Sequence, residues 1–247
     1  MNRQRFLARR DTVSIEEMDR ADCDTDTLDR TYAQFGIVNA VVSGWRRTYT
    51  SLLRPVFSRD RVNTLLDVGS GGGDVPRALS RWARLDGFDL EVTAIDPDER
   101  AHAYATRLPP LPGLSFRRAL SSELVTEGAV FDAVVSNHVL HHLDPGEFGD
   151  LLDDSEQLAR RVVVHSDIAR HPAGYALFSV GTLPLPGSFI REDGLTSIRR
   201  SYTPAELRTA IRGRDGWQVL TRAPFINLLV LERPDTDVAV EGITDHA

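Results

Sequence analysis

Residues 65–75 read Leu-Leu-Asp-Val-Gly-Ser-Gly-Gly-Gly-Asp-Val, and this stretch decides the fold. Leu65, Leu66 and Val68 form a short apolar run that is typical of a buried strand, and the glycines after it indicate a tight turn. Asp74-Val75-Pro76 then begins a helical pattern. A strand, a glycine-rich turn and a helix N-terminus in this order predict a ligand site at the carboxyl edge of a parallel sheet.

The residues of this turn restrict the ligand that it binds. A dinucleotide fingerprint, G-x-G-x-x-G, that starts at Gly69 and Gly71 requires a third glycine where this chain has Asp74. A phosphate-binding P-loop requires a lysine, and the sequence contains none. The turn therefore favours a ligand without phosphates, and the carboxylates of Asp67 and Asp74 favour a cationic one. The alternative is an ordinary tight turn between a strand and a helix.

The composition sets the class of protein. A chain of 247 residues fits one large α/β domain with helical additions. We find no apolar run near the length of a membrane span and no apolar stretch after the basic N-terminus, so we expect a protein that is neither membrane-spanning nor secreted. Cys23 is the single cysteine, which excludes an internal disulfide and indicates the cytoplasm. The net charge of −7 argues against a nucleic-acid partner.

Apolar spacing predicts a helical preface, an α/β core and an insertion. Two helices are expected within residues 25–57, and a capping box at Thr203-Pro204-Ala205-Glu206 begins another. The predicted strands cover 64–69, 90–96, 114–118, 131–136, 160–167, 217–222 and 226–232, and the helices between them cover 74–84, 98–107 and 146–159. This alternation predicts a Rossmann-like, seven-stranded, mostly parallel sheet with helices on both faces.

Three motifs together resemble those of the class I S-adenosylmethionine (SAM)-dependent methyltransferases. Leu65 through Gly73 match the family's glycine motif, hhDhGxGxG. Val92-Thr93-Ala94-Ile95-Asp96-Pro97 ends in an acidic residue, as the family's second strand does. Phe131-Asp132-Ala133-Val134-Val135-Ser136-Asn137-His138-Val139-Leu140-His141-His142-Leu143 looks like the fourth strand and the loop after it. The resemblance implies a methyltransferase that takes SAM as its cofactor and releases S-adenosylhomocysteine (SAH).

The N-terminal helices also resemble a segment of the quinone-biosynthesis C-methyltransferases. Tyr32, Asn39, Ser43, Gly44 and Trp45-Arg46-Arg47 are similar to the Y-D-x-x-N-x-x-x-S-x-G…W-R-R segment that caps the SAM site there, although Ala33 replaces the aspartate. The resemblance implies a helical cap at 1–57, a SAM-binding domain at 58–232 with a substrate lid at 169–200 after the fifth strand, and a disordered tail at 233–247. A plain packing role for the helix pair is the alternative.

The resemblance also implies how SAM is held. Backbone N–H groups of the glycine turn reach the methionyl carboxylate, Asp67 receives the methionyl ammonium, and Asp96 accepts the two ribose hydroxyls. The family often holds the adenine amino group with an aspartate after the third strand, and in its place this chain has Leu120 and Ser121. The expected cofactor-binding residues are Asp67, Gly69, Ser70, Gly71, Asp74, Asp96, Pro97, Leu120, Ser121 and Asn137.

The histidines after the fourth predicted strand are candidates for a general base. A hydroxyl acceptor must lose its proton, and a neutral imidazole suits that task near pH 7. We expect His138 or His141 to be the catalytic base and His142 to be structural. A metal site is not expected, because the H-x-x-H-H spacing lacks a convincing third ligand nearby.

The resemblance leaves three functions open. The first, which we favour, is O-methylation of a small hydroxylated aromatic, quinone or polyketide-like acceptor. The second is C-methylation of an isoprenoid quinone precursor. The third is a non-catalytic, SAM-binding regulatory protein, against which the intact Asp67 and Asp96 argue. The apolar preface leaves a homodimer possible.

Overall fold

A single seven-stranded sheet organises the chain, in the order β3-β2-β1-β4-β5-β7-β6. The computed structural model describes residues 7–184 and 187–233, apart from the side chains of residues 40–42. The strands are β1 (Asn63–Val68), β2 (Leu90–Ile95), β3 (Leu114–Arg117), β4 (Phe131–Asn137), β5 (Ala159–Ile168), β6 (Trp217–Arg222) and β7 (Ile226–Glu232). The first five strands run parallel, and β7 lies antiparallel to both β5 and β6. The sheet predicted from the sequence is confirmed.

Helices cover both faces of this sheet. They are α1 (Thr25–Val42), α2 (Trp45–Thr48), α3 (Asp74–Leu85), α4 (Glu99–Arg107), α5 (Ser121–Thr126), α6 (Pro145–Leu158), α7 (Pro172–Gly181), α8 (Ile190–Arg200) and α9 (Pro204–Ala210). The helical path of α2 continues through Tyr49–Leu53 and Arg54–Val56 as a π turn and a 3₁₀ turn. The capping box predicted before α9 is present: the Thr203 hydroxyl accepts from the Glu206 N–H, and the Glu206 carboxylate accepts from the Thr203 N–H.

Alternation along the central strands divides the core between the two faces. Leu66 of β1 and Val134 of β4 pack on one side, together with α5, α6 and α9. Leu65 of β1 and Ala133 of β4 pack on the other side with α2 and α3. Side chains buried on both faces explain why these strands read as continuous apolar runs rather than as alternating patterns.

Three helical segments lie where no helix was predicted. They are the short α5 and the helices α7 and α8, which occupy most of the insertion at 169–200. A six-residue helix such as α5 is too short for its periodicity to stand out, and the Glu123 carboxylate stabilises its start by accepting from the Leu120 N–H. The tail predicted at 233–247 lies, from residue 234 on, outside the described residues.

The two helices of the preface differ in what they contact. In α2 and its continuation, Trp45 and Tyr49 are buried in the core under the sheet, as a plain packing role requires. In α1, the Asn39 amide donates to the Asp74 carboxylate, and the Tyr32 ring lies against Gly72. Only the first helix therefore reaches the glycine turn through these side chains.

Candidate cofactor and acceptor site

A cavity of about 390 Å³ opens at the carboxyl ends of the parallel strands. This volume lies within the range of about 300–1,000 Å³ that is usual for small-molecule sites. Its floor comes from the ends of β1, β2 and β4, and its remaining walls come from the N-terminal segment, α1, α7 and α8. The position agrees with the rule that open α/β sheets bind ligands outside the carboxyl ends of their strands.

The glycine turn after β1 has no room for side chains at two positions. A Cβ on Gly69, whose φ is +70°, would lie 2.5 Å from Val139 Cγ2. A Cβ on Gly73, whose φ is +81°, would lie 2.6 Å from ring atoms of Phe116. Both the backbone conformation and the space therefore require glycine.

The N–H groups of this turn are mostly used within the protein. Those of Gly69 and Ser70 donate to the Ile95 carbonyl, that of Gly73 donates to the Ser70 carbonyl, and that of Gly71 donates to Asp96. Within the described part of the chain, the Gly72 N–H is the one left without a protein acceptor in this turn. The predicted contact between the turn and a ligand carboxylate thus stays a prediction, and the Gly72 N–H is the group that can make it without losing a protein acceptor.

Asp67 has an unsatisfied buried carboxylate. Its side chain lines the cavity, and neither oxygen has a hydrogen-bond partner among the residues that the structure describes. Burial raises its pKa well above the usual range, and the charges of Asp74 and Asp96 add to this effect. A buried acceptor of this kind costs free energy unless a donor meets it. The site thus fits a ligand with a cationic donor such as an ammonium group.

Asp74 and Asp96 make the same cavity acidic. The Asp96 carboxylate accepts from the Gly71 N–H and the Asp98 N–H, both at 2.8 Å, through different oxygens. Each of those oxygens keeps a lone pair for a ligand hydroxyl. Burial raises the pKa of both Asp74 and Asp96. Three carboxylates around one cavity favour a positively charged ligand.

The structure brings most of the predicted site residues together. Those that line the cavity are Asp67, Gly69, Ser70, Gly71, Asp74, Asp96, Pro97, Asn137, His138 and His141. Leu120 and Ser121 do not line it. The Leu120 side chain is half exposed. Ser121 lies at the start of α5, and its hydroxyl donates to the Asp154 carboxylate of α6. The role of these two residues at the adenine ring therefore stays a prediction, and the cavity lining does not support it.

His138 lies at the end of β4 with its ring partly open to the cavity. Its φ is +59°, which is uncommon outside glycine, and its N–H donates to the Ser166 carbonyl of β5 at 2.8 Å. This conformation brings Nδ1 within 3.5 Å of Asp167 Oδ1, and 28% of the side chain stays exposed. An imidazole with one nitrogen facing a carboxylate and an open edge is suited to accept a proton from a ligand.

His141 is enclosed between two buried carboxylates. Its Nδ1 lies 2.8 Å from Asp167 Oδ1 and its Nε2 lies 3.3 Å from Glu16 Oε1, with 1% of the side chain exposed. Burial alone lowers the pKa of His141, but Asp167 and Glu16 outweigh it and raise the pKa to about 10. A ring that holds its proton near neutral pH is a poor proton acceptor, so of the two candidate bases His138 is the better placed.

The two carboxylates around His141 respond in the opposite direction. Burial raises the pKa of Glu16, but His141, His142 and Ser197 lower it to about 2. Burial likewise raises the pKa of Asp167, but His141 and His138 together bring it far below its usual range. Both groups are carboxylates at every pH where the protein is expected to work.

Some of these side chains also lie close enough to share an ion. Ligand atoms of Glu16, His141 and His142 lie within 4.8 Å of one another, and so do those of His138, His141 and Asp167. The pKa of about 10 makes His141 hold a proton near neutral pH, and a protonated nitrogen does not bind a metal. The absence of a metal stays a prediction.

Glu16 belongs to an N-terminal segment that sequence reasoning left unassigned. Asp193 of α8 holds this segment, because its two carboxylate oxygens accept from the N–H groups of Glu17 and Met18 at 2.7 and 3.0 Å. Arg200, at the end of the same helix, donates to the carbonyls of Ser14 and His141. The N-terminal segment, α8 and the loop that carries His141 therefore form one wall of the cavity. No local sequence pattern predicts this arrangement.

Comparisons with known proteins agree with this architecture. Residues 66–163 match a family model described as "Methyltransferase domain". The plantazolicin methyltransferase BpumL in complex with SAH is 13% identical, with a TM-score of 0.53 over 84% of this chain and 96% of that chain. Human N-acetylserotonin methyltransferase (ASMT) in complex with SAM is 14% identical, with a TM-score of 0.60 over 85% of this chain and 56% of that chain.

A third similar structure is the methyltransferase domain of bacterial CtHen1. It is 17% identical, with a TM-score of 0.51 over 75% of this chain and 96% of that chain. No curated protein sequence matches this one. At these identities the structures show that the fold is shared. None of the described helices combines the length and the apolar character that a membrane crossing requires.

Proposed function

We propose that this chain is a SAM-dependent methyltransferase that transfers the SAM methyl group to a hydroxyl of a small aromatic, quinone or polyketide-like acceptor. The observation that carries the proposal is His138, whose ring stands between Asp167 and the open cavity. A C-methyltransferase of a quinone precursor would use the same fold, and the experiments below separate the two.

The cavity matches SAM in charge and in the hydrogen-bonding groups that it offers. The unsatisfied Asp67 carboxylate is matched to the methionyl ammonium, and the free lone pairs of Asp96 are matched to ribose hydroxyls. Asp74 adds negative charge near a ligand whose sulfonium is positive. SAM supplies a methyl group that is already activated, so the chain has to orient the acceptor, exclude water and remove a proton.

His138 is the residue that we assign to proton removal. Asp167 Oδ1 lies 3.5 Å from Nδ1, which favours the neutral tautomer with its proton on Nδ1 and with Nε2 free to accept. A hydroxyl placed at the open edge can then give its proton to Nε2 as its oxygen bonds to the methyl group. Such general-base assistance is typically worth about 10²–10⁴-fold in rate.

The acceptor side of the cavity is apolar. We propose that the segments at 1–57 and 169–200 act as cap and lid for the acceptor, and the support is that both contribute to its walls. The apolar side chains that they contribute are Met18, Phe35, Val38, Phe178 and Ile190. Apolar walls suit an aromatic ring, and the carboxylates that the same segments contribute, Glu16, Asp19 and Asp193, suit a hydroxyl that the ring carries.

Matched pairs of acceptors test this function. We expect methyl transfer from SAM to phenols and hydroxyquinones, measured as SAH release and as product mass, and no transfer to the corresponding methyl ethers. The ethers are the control because they keep the ring and lose only the acidic hydrogen. Equal transfer to a phenol and to its ether would contradict O-methylation, and transfer to neither would remove this acceptor class.

The assignment of Asp96 gives a prediction about cofactor affinity. Asp96→Ala loses two charge-assisted hydrogen bonds to ribose, each worth about 1.5–3 kcal/mol. Since about 1.4 kcal/mol corresponds to tenfold, the Kd for SAM should rise at least tenfold in calorimetry. Glu99→Ala is the control, because it removes a nearby carboxylate whose side chain is 77% exposed. An unchanged Kd in Asp96→Ala would contradict the assignment.

A further inference from the structure

A line of contacts connects the N-terminal segment to His138. Glu16 Oε1 lies 3.3 Å from His141 Nε2, and His141 Nδ1 lies 2.8 Å from Asp167 Oδ1. The same Asp167 oxygen lies 3.5 Å from His138 Nδ1. Glu16, His141 and Asp167 are each at least 97% buried. Such a buried line of alternating charge is strongly coupled, because water does not screen it.

We propose that Glu16 is a positioning residue, which keeps His138 available as a base by acting through His141 and Asp167. The inference rests on the role of His138 given under the proposed function. Glu16 has no contact with His138 in the structure, so it acts through the other two residues. The N-terminal segment would thus complete the catalytic apparatus and would not only cover the cavity.

The physical reason is charge balance at Asp167. A carboxylate beside a histidine favours the protonated imidazole, which is useless as a base. Here the positive charge of His141 compensates the negative charge of Asp167, so that Asp167 can orient His138 without retaining a proton on it. Glu16 maintains this arrangement, because its own charge stabilises the imidazolium of His141 from the other side.

The remaining structure holds Glu16 firmly in this place. Its Oε1 accepts from the Ser197 hydroxyl of α8 at 2.8 Å. Asp167 is held as well, by the N–H groups of His141 and Ile168 at 2.9 and 2.7 Å. These contacts fix both carboxylates. Removal of the Glu16 charge therefore changes the electrostatic potential at His141 and Asp167 and does not simply shift the side chains.

Other charged groups lie next to Glu16, His141 and Asp167 and contribute to the balance of charge there. Asp19 lies 3.1 Å from His142 Nδ1, and Glu16 Oε2 lies 3.8 Å from His142 Nε2. Arg10 and Arg200 donate to the His141 carbonyl from the N-terminal segment and from α8. Burial and the charge of Glu16 also raise the pKa of Asp193, to about 7. The substitution at Glu16 keeps all of these side chains, so the comparison below reports the loss of the Glu16 charge together with its effect on Asp193 and His142.

The pH profile of Glu16→Gln distinguishes positioning from a structural role. Without the Glu16 charge, the imidazolium of His141 is less stabilised, and the negative charge of Asp167 beside His138 is then less fully compensated. We expect the acid limb of kcat/KM to move up by about one pH unit, which is about tenfold slower turnover on that limb. At high pH the rate should approach that of the wild type.

Glu17→Gln is the matched control. It removes a carboxylate from the next position, and the Glu17 side chain is 47% exposed. Its pH profile should match that of the wild type. If Glu16→Gln lowers the rate equally at every pH, or raises KM with an unmoved profile, Glu16 merely holds the segment and the proposal is overturned.

A measurement on the unaltered protein tests the charge of His141, on which the proposal depends, even if Glu16→Gln does not fold. In ¹⁵N-histidine spectra recorded at pH 8 without acceptor, the ring of His141 should be doubly protonated, with the signal assigned by its loss in His141→Gln. A neutral His141 at that pH would overturn the proposal. Because no acceptor is used, this result is independent of whether the proposed function is right.

Discussion

His138→Gln lowers kcat by about 10²–10⁴-fold and leaves the Kd for SAM nearly unchanged. The reason is that glutamine keeps a hydrogen-bonding side chain of similar reach but does not accept the acceptor's proton. The measurement is kcat at saturating SAM and acceptor, with SAM affinity from calorimetry. His102→Gln is the control, because it removes an imidazole from α4, away from the cavity lining.

The pH dependence of the wild type is part of the same expectation. The rate should fall as the pH decreases, because protonation of the imidazole removes the base. Near-normal turnover in His138→Gln, together with a rate independent of pH between about 5.5 and 8, would show that no histidine base operates. Transfer would then rest on proximity, with an acceptor that ionises unaided.

Asp67→Asn stabilises the protein without SAM and weakens its binding of SAM by about 10²-fold. Burial makes the charged form of Asp67 unfavourable, and in the described structure no donor compensates it. Asparagine removes that charge, so the free energy of unfolding without ligand should rise. Asparagine also removes the negative partner of the methionyl ammonium of SAM. A charge-assisted hydrogen bond is worth up to about 3 kcal/mol, which corresponds to a loss of affinity of roughly 10²-fold.

The sign of the pH effect follows from the raised pKa of Asp67. The folded protein retains this proton to higher pH than the unfolded chain does, so the carboxyl makes folding less favourable as the pH rises above about 4. The difference in unfolding free energy between Asp67→Asn and the wild type should therefore grow over that window in chemical denaturation. Saturating SAM should reduce the difference, because it binds the folded wild type more tightly. A variant that is less stable at neutral pH, or that binds SAM normally, would contradict the role of Asp67.

The sheet could be predicted because its signals are local. The apolar run of β1, the glycines after it and the acidic end of β2 lie within short stretches whose chemistry admits few structures. The helices of the insertion were missed because their sequences carry no clear local signal. Helix α7 is apolar on most of its surface, with Leu177 and Val180 exposed, so its sequence shows no clear polar face.

Residues of the site could be predicted only where they lie at the end of a predicted strand, because the strand fixes their position. Asp67 and Asp96 follow from their places at the ends of β1 and β2. Glu16 could not be predicted, because its partners His141 and Ser197 are far away in the sequence and its own surroundings carry no motif. His138 and His141 lie in one loop and differ in burial, which decides that one is open to the cavity and the other is a fixed imidazolium.

Leu120 and Ser121 show why a site residue cannot always be assigned from the position that it has in a family's motif. The strand before them ends where the family's does, but the chain then begins α5 directly, so that Ser121 becomes part of a helix and bonds to Asp154 of α6. The direction of a side chain after a strand depends on such a turn. Sequence spacing alone does not give it.

The position of the transferred methyl group tests the central claim most directly. The protein is incubated with SAM that carries a ¹³C-labelled methyl group and with a phenol that has an unsubstituted carbon next to its hydroxyl, and the product is analysed by NMR. We predict that the label appears as an aryl methyl ether, and that His138→Gln forms the same product more slowly. A label bonded to ring carbon would contradict O-methylation and would indicate the C-methyltransferase instead.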